Sequence, residues 1–253
     1  RGLGDVYKRQ IMGLFKGQVV ALIHTGSRGL GYQICDDYLQ KIMQAGKTYN
    51  FTLPDKQLAC APLNSPEGEE YLSAMNSAAN FAWNNRQVIM HLAEKSFRDT
   101  LGMSKSELGF KLVYDVCHNI AKIEEHNING KMMKVCVHRK GATRAFPPGS
   151  KMIPAKYKDI GQPVLIPGDM GRYSYVCVGT EKAMNETFGS SCHGAGRNLS
   201  RKKALKAGKG RNLIEELKQR GVVIQAKGMK TIAEEMPDAY KDVSDVVNVM
   251  HNE

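Results

Sequence analysis

"KLVYDVCHN" (Lys111–Asn119) and "MMKVCVHRK" (Met132–Lys140) are short runs rich in β-branched and aromatic residues, bounded by glycine and turn formers. That composition reads as strand rather than helix. PVLIPG (Pro163–Gly168) and SYVCVGT (Ser174–Thr180) read the same way downstream. Upstream the character is helical. Ser65-Pro66 followed by Glu67, Glu69 and Glu70 is a helix start: a cap, proline at the first position, then acids near the positive end of the helix dipole. The helix should run to about Leu101, with Tyr71, Met75, Ala78, Ala82, Ile89 and Leu92 as its core stripe. Gln33–Met43 carries apolar residues at helical spacing, and Val19–His24 reads as a short buried strand. Arg211–Gln219 and Asp242–His251 read as helices and Val222–Gln225 as a strand. Strands and helices are mixed without strict βαβ alternation. The expected class is therefore α+β, one large domain of mixed β-sheets with surrounding helices.

The chain has 253 residues, 42% of them hydrophobic, enough to bury a substantial core. No stretch approaches the ~20 consecutive apolar residues of a membrane helix, so no membrane partner is expected. Six cysteines are present without a CxxC pair, which points away from zinc ribbons and disulfide scaffolds and towards free thiols in a reducing cytoplasm. The formal charge of +11 favours a polyanionic partner, nucleic acid first. RGLGDVYKRQ (Arg1–Gln10) has no apolar period and joins abruptly to IMGLFKGQVVALIH (Ile11–His24). It is read as a non-native leader and set aside.

Five stretches carry chemistry. TGSRGLG (Thr25–Gly31) lies between an expected strand and a helix and could cradle a phosphate on backbone N–H groups. A nicotinamide site is disfavoured: the motif is one residue short of TGxxxGxG, and no tyrosine has a lysine four positions later. In DVCHNIAKIEEH (Asp115–His126), His118 is expected at a strand end, where imidazole serves as a rigid metal ligand or as a structural group. His91, His126, His138 and His251 receive no role. HRKGATRAFPPG (His138–Gly149) reads as a solvated loop or as one facing nucleotide or RNA. GDMGRYSYV (Gly168–Val176) is a glycine-rich turn that could bind phosphate or a base edge. CHGAG (Cys192–Gly196) surrounds His193 with small residues on its C-terminal side, so a large ligand could approach the ring. Histidine can act as a covalent nucleophile, and nearby cations stabilise transferring phosphoryl oxygens. Seven Lys/Arg lie between Arg197 and Arg211. Of these, Arg197 and Arg201 are the favoured phosphate contacts, while Lys206, Lys209 and Arg211 suit a solvated helix face.

Taken together, HTGSRGLGYQ, DVCHNIAKIEEH, HRKGATRAFPPG, PVLIPGDMGRYSYVCVGTE and FGSSCHGAGRNLSR resemble, in order, the motifs of the RtcB family of GTP-dependent RNA ligases. The resemblance spans about Ile11 to Glu253. It implies Mn²⁺ and GTP as cofactors and a histidine–GMP intermediate. It implies joining of RNA 3′-phosphate or 2′,3′-cyclic phosphate ends to 5′-hydroxyl ends, in tRNA splicing and RNA repair. By the same resemblance His193 is the nucleophile, and His24 and His118 bind manganese. His118, Asn119, Pro167, Gly168, Asp169, Met170, Ser174, His193, Gly194, Ala195, Gly196 and Tyr240 line the GTP site. Arg28, Arg197 and Arg201 hold RNA phosphates. Asp169 stands where many members carry serine. The family's further metal ligands (an aspartate, a cysteine and a histidine) precede the HTGSRG motif, and its terminal lysine lies beyond the last residue here. Residues 11–253 are thus expected to be a partial RtcB-like catalytic domain, with little ligation by this stretch alone. RNA, as tRNA halves or broken ends, is the implied substrate, and archease the implied protein partner. The alternative is a non-catalytic RNA- or nucleotide-binding remnant, since two histidines make a poor metal site.

Overall fold

A computed structural model describes residues 5–55 and 58–251. In chain order the elements are α1 (Val6–Met12), α2 (Arg28–Thr48), α3 (Pro66–Leu101), α4 (Lys105–Leu108), β1 (Asn119–Ile128), β2 (Lys131–Lys140), β3 (Ala142–Arg144), β4 (Pro163–Ile166), β5 (Tyr175–Val178), α5 (Glu181–Thr187), β6 (Ser190–Cys192), α6 (Arg201–Ala207), α7 (Leu213–Lys218), α8 (Met229–Glu234) and α9 (Val243–His251). The class is α+β. Contacts divide the chain into two compact units, Phe15–Val113 with Ile120–Lys122, and the remainder.

The first of these units is helical. α3 begins as its sequence dictates: Ser65 Oγ accepts from Gly68 N at 3.2 Å, proline follows at once, and Gly102 closes the helix at φ 65°. A side chain at Gly68 would sit 2.4 Å from the Pro62 carbonyl oxygen, so the turn into α3 needs glycine. α2 packs on α3, with Tyr38 and Tyr71 rings 5.6 Å apart. Ala78 and Ala82 are buried as expected, but Leu92 is exposed. Val19–His24 forms no strand, and Val19 and Val20 are 79% and 69% exposed. An apolar run is a strand only when a neighbour completes its ladder, and none of the described strands does so. Val222–Gln225 likewise remains irregular.

Three two-stranded sheets, β1–β2, β3–β6 and β4–β5, lie in the second unit apart from Ile120–Lys122 of β1. Asn129 (φ 52°) and Gly130 (φ 82°) make the two-residue turn between β1 and β2. That turn twists as an antiparallel hairpin requires. β3 pairs antiparallel with β6, Ala142 opposite Cys192 and Arg144 opposite Ser190. Ala145, Val164, Ile166, Ala195 and Val243 form one core beneath these strands. Ala204, Leu213, Ile232, Met236 and Ala239 form a second among the C-terminal helices. Of the stretch read as a leader, Arg1–Gly4 lie outside the described residues. The rest carries most of α1, capped by Asp5 through Lys8 N at 3.1 Å.

HRKGATRAFPPG, expected as a loop, instead contains the end of β2 and all of β3, and much of it is buried. The reason lies in side chains far apart in sequence. Arg139 donates in parallel to both carboxylate oxygens of Glu124, each at 2.9 Å. His126 Nε2 lies 3.0 Å from Glu124 Oε2, its ring edge-on to Phe188 at 5.1 Å. Arg139, Glu124 and His126 are 4%, 4% and 2% exposed. Burial alone would raise the Glu124 carboxyl, but hydrogen bonds from Arg139 and His126 and the nearby guanidinium charges outweigh it, so its pKa lies below the ordinary 4.5. The stability this group contributes is therefore present above the ordinary carboxyl range and lost as pH falls through its lowered value. Removing one partner of a buried pair strands the other charge. Glu124→Ala should lose about 3–5 kcal/mol near neutrality. Denaturant titration of variant and wild type should show that gap narrowing below pH 4.5, where the wild-type carboxylate itself protonates.

Candidate functional site

His193 follows the last residue of β6, so the β3–β6 register places it opposite Gly141, one step beyond the ladder. Its Nδ1 lies 2.8 Å from the Gly141 carbonyl oxygen. A carbonyl only accepts, so Nδ1 carries a proton, and in the neutral ring the lone pair is on Nε2. The Gly141 N–H points the other way, 2.8 Å from the His118 carbonyl oxygen and 3.0 Å from Asn119 Oδ1. The His118 and His193 rings stack, 4.1 Å between centroids at 24°. Gly141, which in the linear sequence is one loop glycine among many, thus joins three nominated residues: the His118 backbone and the Asn119 and His193 side chains. It sits at φ 66°, the left-handed region. His118 precedes β1 rather than ending a strand.

Small residues complete the surroundings. Ala195 N donates to the Pro167 carbonyl at 3.0 Å, and Ala195 is part of the core beneath. A side chain at Gly194 would meet the Pro167 oxygen at 3.4 Å, an ordinary contact, so the turn leaves room there. Gly168 tolerates no side chain, which would lie 2.3 Å from the Tyr173 carbonyl oxygen. Asp169 points into its own turn: it accepts from Gly171 N at 2.8 Å and from Arg172 Nη1 at 2.5 Å, with its side chain fully buried. Met170 packs on the C-terminal core, and Ser174 is exposed just before β5.

Two arginines favoured for RNA behave differently. Arg197 donates to the Leu199 carbonyl at 3.0 Å and to Glu235 at 3.2 Å, Tyr240 Oη at 3.0 Å and the Glu234 carbonyl. Its guanidinium lies 4.8 Å from the Tyr240 ring centroid, covering one face of the ring nominated to stack on guanine. Burial, followed by the Glu235 carboxylate, raises the Tyr240 phenol above its ordinary range. Arg201, by contrast, has a 68% exposed side chain, with Glu235 at 3.6 Å. Lys206 and Lys209 are exposed as expected, and Lys202 and Lys203 are exposed too. Arg211, read as a solvated face, is instead clamped between Glu216 and Asp238 at 2.6 and 2.5 Å.

Among the described residues, no group of three or more His, Cys, Asp or Glu side chains converges to hold an ion. His24 and Arg28 lie in the helical unit, both exposed. There Asn85 and Arg86 donate to the Gly26 and Thr25 carbonyls at 2.9 and 3.4 Å, pinning the turn before α2.

The left-handed conformation at Gly141 disfavours a side chain. Gly141→Ala should therefore cost about 1–2 kcal/mol of stability, measured by chemical unfolding.

Comparison with known proteins adds to this geometry. The model of the family "tRNA-splicing ligase RtcB" matches residues 4–253. The chain is 54% identical over 239 residues to a tRNA-splicing ligase RtcB of Archaeoglobus fulgidus, covering 94% of this chain and 50% of that protein. It is 53% identical over 249 residues to the Thermococcus kodakarensis protein of the same name, 97% of this chain and 52% of the relative. With the Pyrococcus abyssi protein of that name it shares 54% over 241 residues, 95% of this chain and 26% of the relative. The chain thus spans about half the length of the first two and about a quarter of the third. By this match the chain belongs to the RtcB family of tRNA-splicing ligases.

Proposed function

We propose that this chain carries the guanylyl-transfer centre of an RNA ligase, with His193 as the nucleophile. The observation that carries the reading is the bond from His193 Nδ1 to the Gly141 carbonyl, which places a proton on Nδ1 and orients the ring. Nε2 attacks the α-phosphorus of GTP. The N–P bond forms, the bond to the bridging oxygen breaks, and pyrophosphate leaves. The positive charge that develops on the ring is shared with Nδ1–H, whose carbonyl partner stabilises it. His118, stacked on the ring, limits its rotation. The phosphate oxygen of an RNA 3′ end then attacks the guanylyl phosphorus, and the N–P bond breaks to return free imidazole. Attack of a 5′-hydroxyl on the RNA 3′-phosphorus forms the phosphodiester, expels GMP and releases the hydroxyl proton. A 2′,3′-cyclic end must first be hydrolysed: water adds to phosphorus, the P–O2′ bond breaks, and the 2′-hydroxyl and 3′-phosphate are released.

His118, Asn119, Pro167–Met170, Ser174, Gly194–Gly196 and Tyr240 form the proposed nucleotide site. All belong to the unit that holds His193. By the family resemblance His118 and His24 are each assigned to manganese, and the proposed chemistry rests on His193 and the groups that hold it. The charge of +11 suits an RNA substrate. The proposed setting is cytoplasmic tRNA splicing and RNA repair, with archease as a candidate activator. Among the described residues no helix is long and apolar enough to cross a membrane.

The test uses the protein expressed from its full coding sequence, with Mn²⁺ and α-labelled GTP. An acid-labile adduct of one GMP should form, and His193→Ala should abolish it. Labelling of His193→Ala equal to wild type overturns the assignment. Absence of any adduct, with RNA binding retained, favours a non-catalytic binder instead. RNA affinity should fall steeply with salt, and Arg201→Ala should lower the log–log slope by about 1. Arg197→Ala should instead destabilise the fold, because its guanidinium ties Leu199, Glu234, Glu235 and Tyr240 together.

A further inference from the structure

We propose that Arg139 and Ser190 are positioning residues for His193, resting on the reading of that histidine as the nucleophile. The β3–β6 ladder that delivers His193 is only three residue pairs long. Short two-stranded pairings are marginal alone and fray at their ends. The entry to β6 is also strained: Phe188 at φ 53° and Gly189 at φ 58° are consecutive left-handed residues. Such a conformation at a bulky residue persists only where its surroundings enforce it. Arg139 supplies that enforcement. Its Nη2 donates to the Phe188 carbonyl at 2.8 Å and its Nε to Ser190 Oγ at 2.9 Å. The same guanidinium is locked by its paired bonds to Glu124, so it is a fixed point rather than a mobile side chain.

The position of Arg139 makes the tether act on the site. It lies two residues before Gly141, whose carbonyl receives His193 Nδ1–H. Ser190 lies three residues before His193. One rigid side chain therefore bridges the two strand segments whose ends must meet at 2.8 Å for the ring to keep its proton on Nδ1. When the tether is cut, the pinned end of the ladder loosens and the proton redistributes between the two nitrogens. The lone pair then leaves Nε2 in part of the population.

The tautomer can be read directly. ¹⁵N-histidine spectra of the full-length protein, near pH 8.5 and above the ordinary imidazole range, report which nitrogen bears hydrogen. His193→Gln identifies the His193 signals. Wild type should show a single Nδ1–H form. Ser190→Ala removes one bond while leaving the Glu124 pair intact, so it should fold. It should show a mixed tautomer and about tenfold slower guanylylation at saturating GTP, with the half-saturating GTP concentration unmoved. Arg139→Lys, which cannot keep the paired geometry, should do the same. The double variant should be no slower than the worse single one, because both cut one tether. Retention of the pure Nδ1–H form in Ser190→Ala and Arg139→Lys overturns the proposal. Failure of the nucleophile reading looks different: no adduct in wild type, or labelling of His193→Ala. In that case the tautomer spectra alone decide the tether.

Discussion

The buried pair of Glu124 and Arg139 is the constraint on which this unit depends. An arginine and a glutamate removed from water are costly unless every donor and acceptor is matched. Here the carboxylate receives the guanidinium fork and the His126 ring nitrogen, while the remaining arginine donors reach Phe188 and Ser190. The pair is therefore satisfied only in one arrangement of β1, β2 and the entry to β6. That arrangement brings Gly141 opposite His193. An apolar replacement could fill the space, but it would lack the directional bonds that fix one strand against another.

From that arrangement the chemistry is reached through the backbone. Gly141 is a junction: its N–H binds the His118 carbonyl and Asn119, and its C=O binds His193. Three nominated residues from two distant motifs are thereby oriented by the two peptide groups that flank one glycine. The glycine is required because the peptide turns through the left-handed region. Ala195, two residues beyond His193, plunges into the core and prevents the loop from drifting. The basic run after it divides by geometry. Arg197 and Arg211 are ion-paired within the fold, and Arg201 with the neighbouring lysines stays in water.

Local signals are legible in the sequence where the physics is local. Ser65-Pro66 with its acids marks the start of α3, and Gly102 ends it, because capping depends on residues within one turn. β2, β4 and β5 fall on the β-branched runs. Asn129-Gly130 is a hairpin signal that a search for strand-forming runs passes over. The runs at Val19–His24 and Val222–Gln225 mislead, since strand formation depends on a partner that periodicity does not reveal. His126 and Glu124 escape notice for the same reason. Nothing near them in sequence announces Arg139, fifteen positions beyond Glu124.

The amino-acid order by itself determined the boundaries of α3, the α+β class, the basic character and the five motifs that mark the family. Each is encoded in neighbouring residues. Only the tertiary structure decided that Gly141 holds His193, that Asp169 serves its own turn, and that Arg197 and Arg211 pair with carboxylates of the fold. Those outcomes are cross-strand and cross-loop pairings. Which donor meets which acceptor is fixed by strand register and by the cost of leaving a buried charge unmatched, and neither is written in a local pattern.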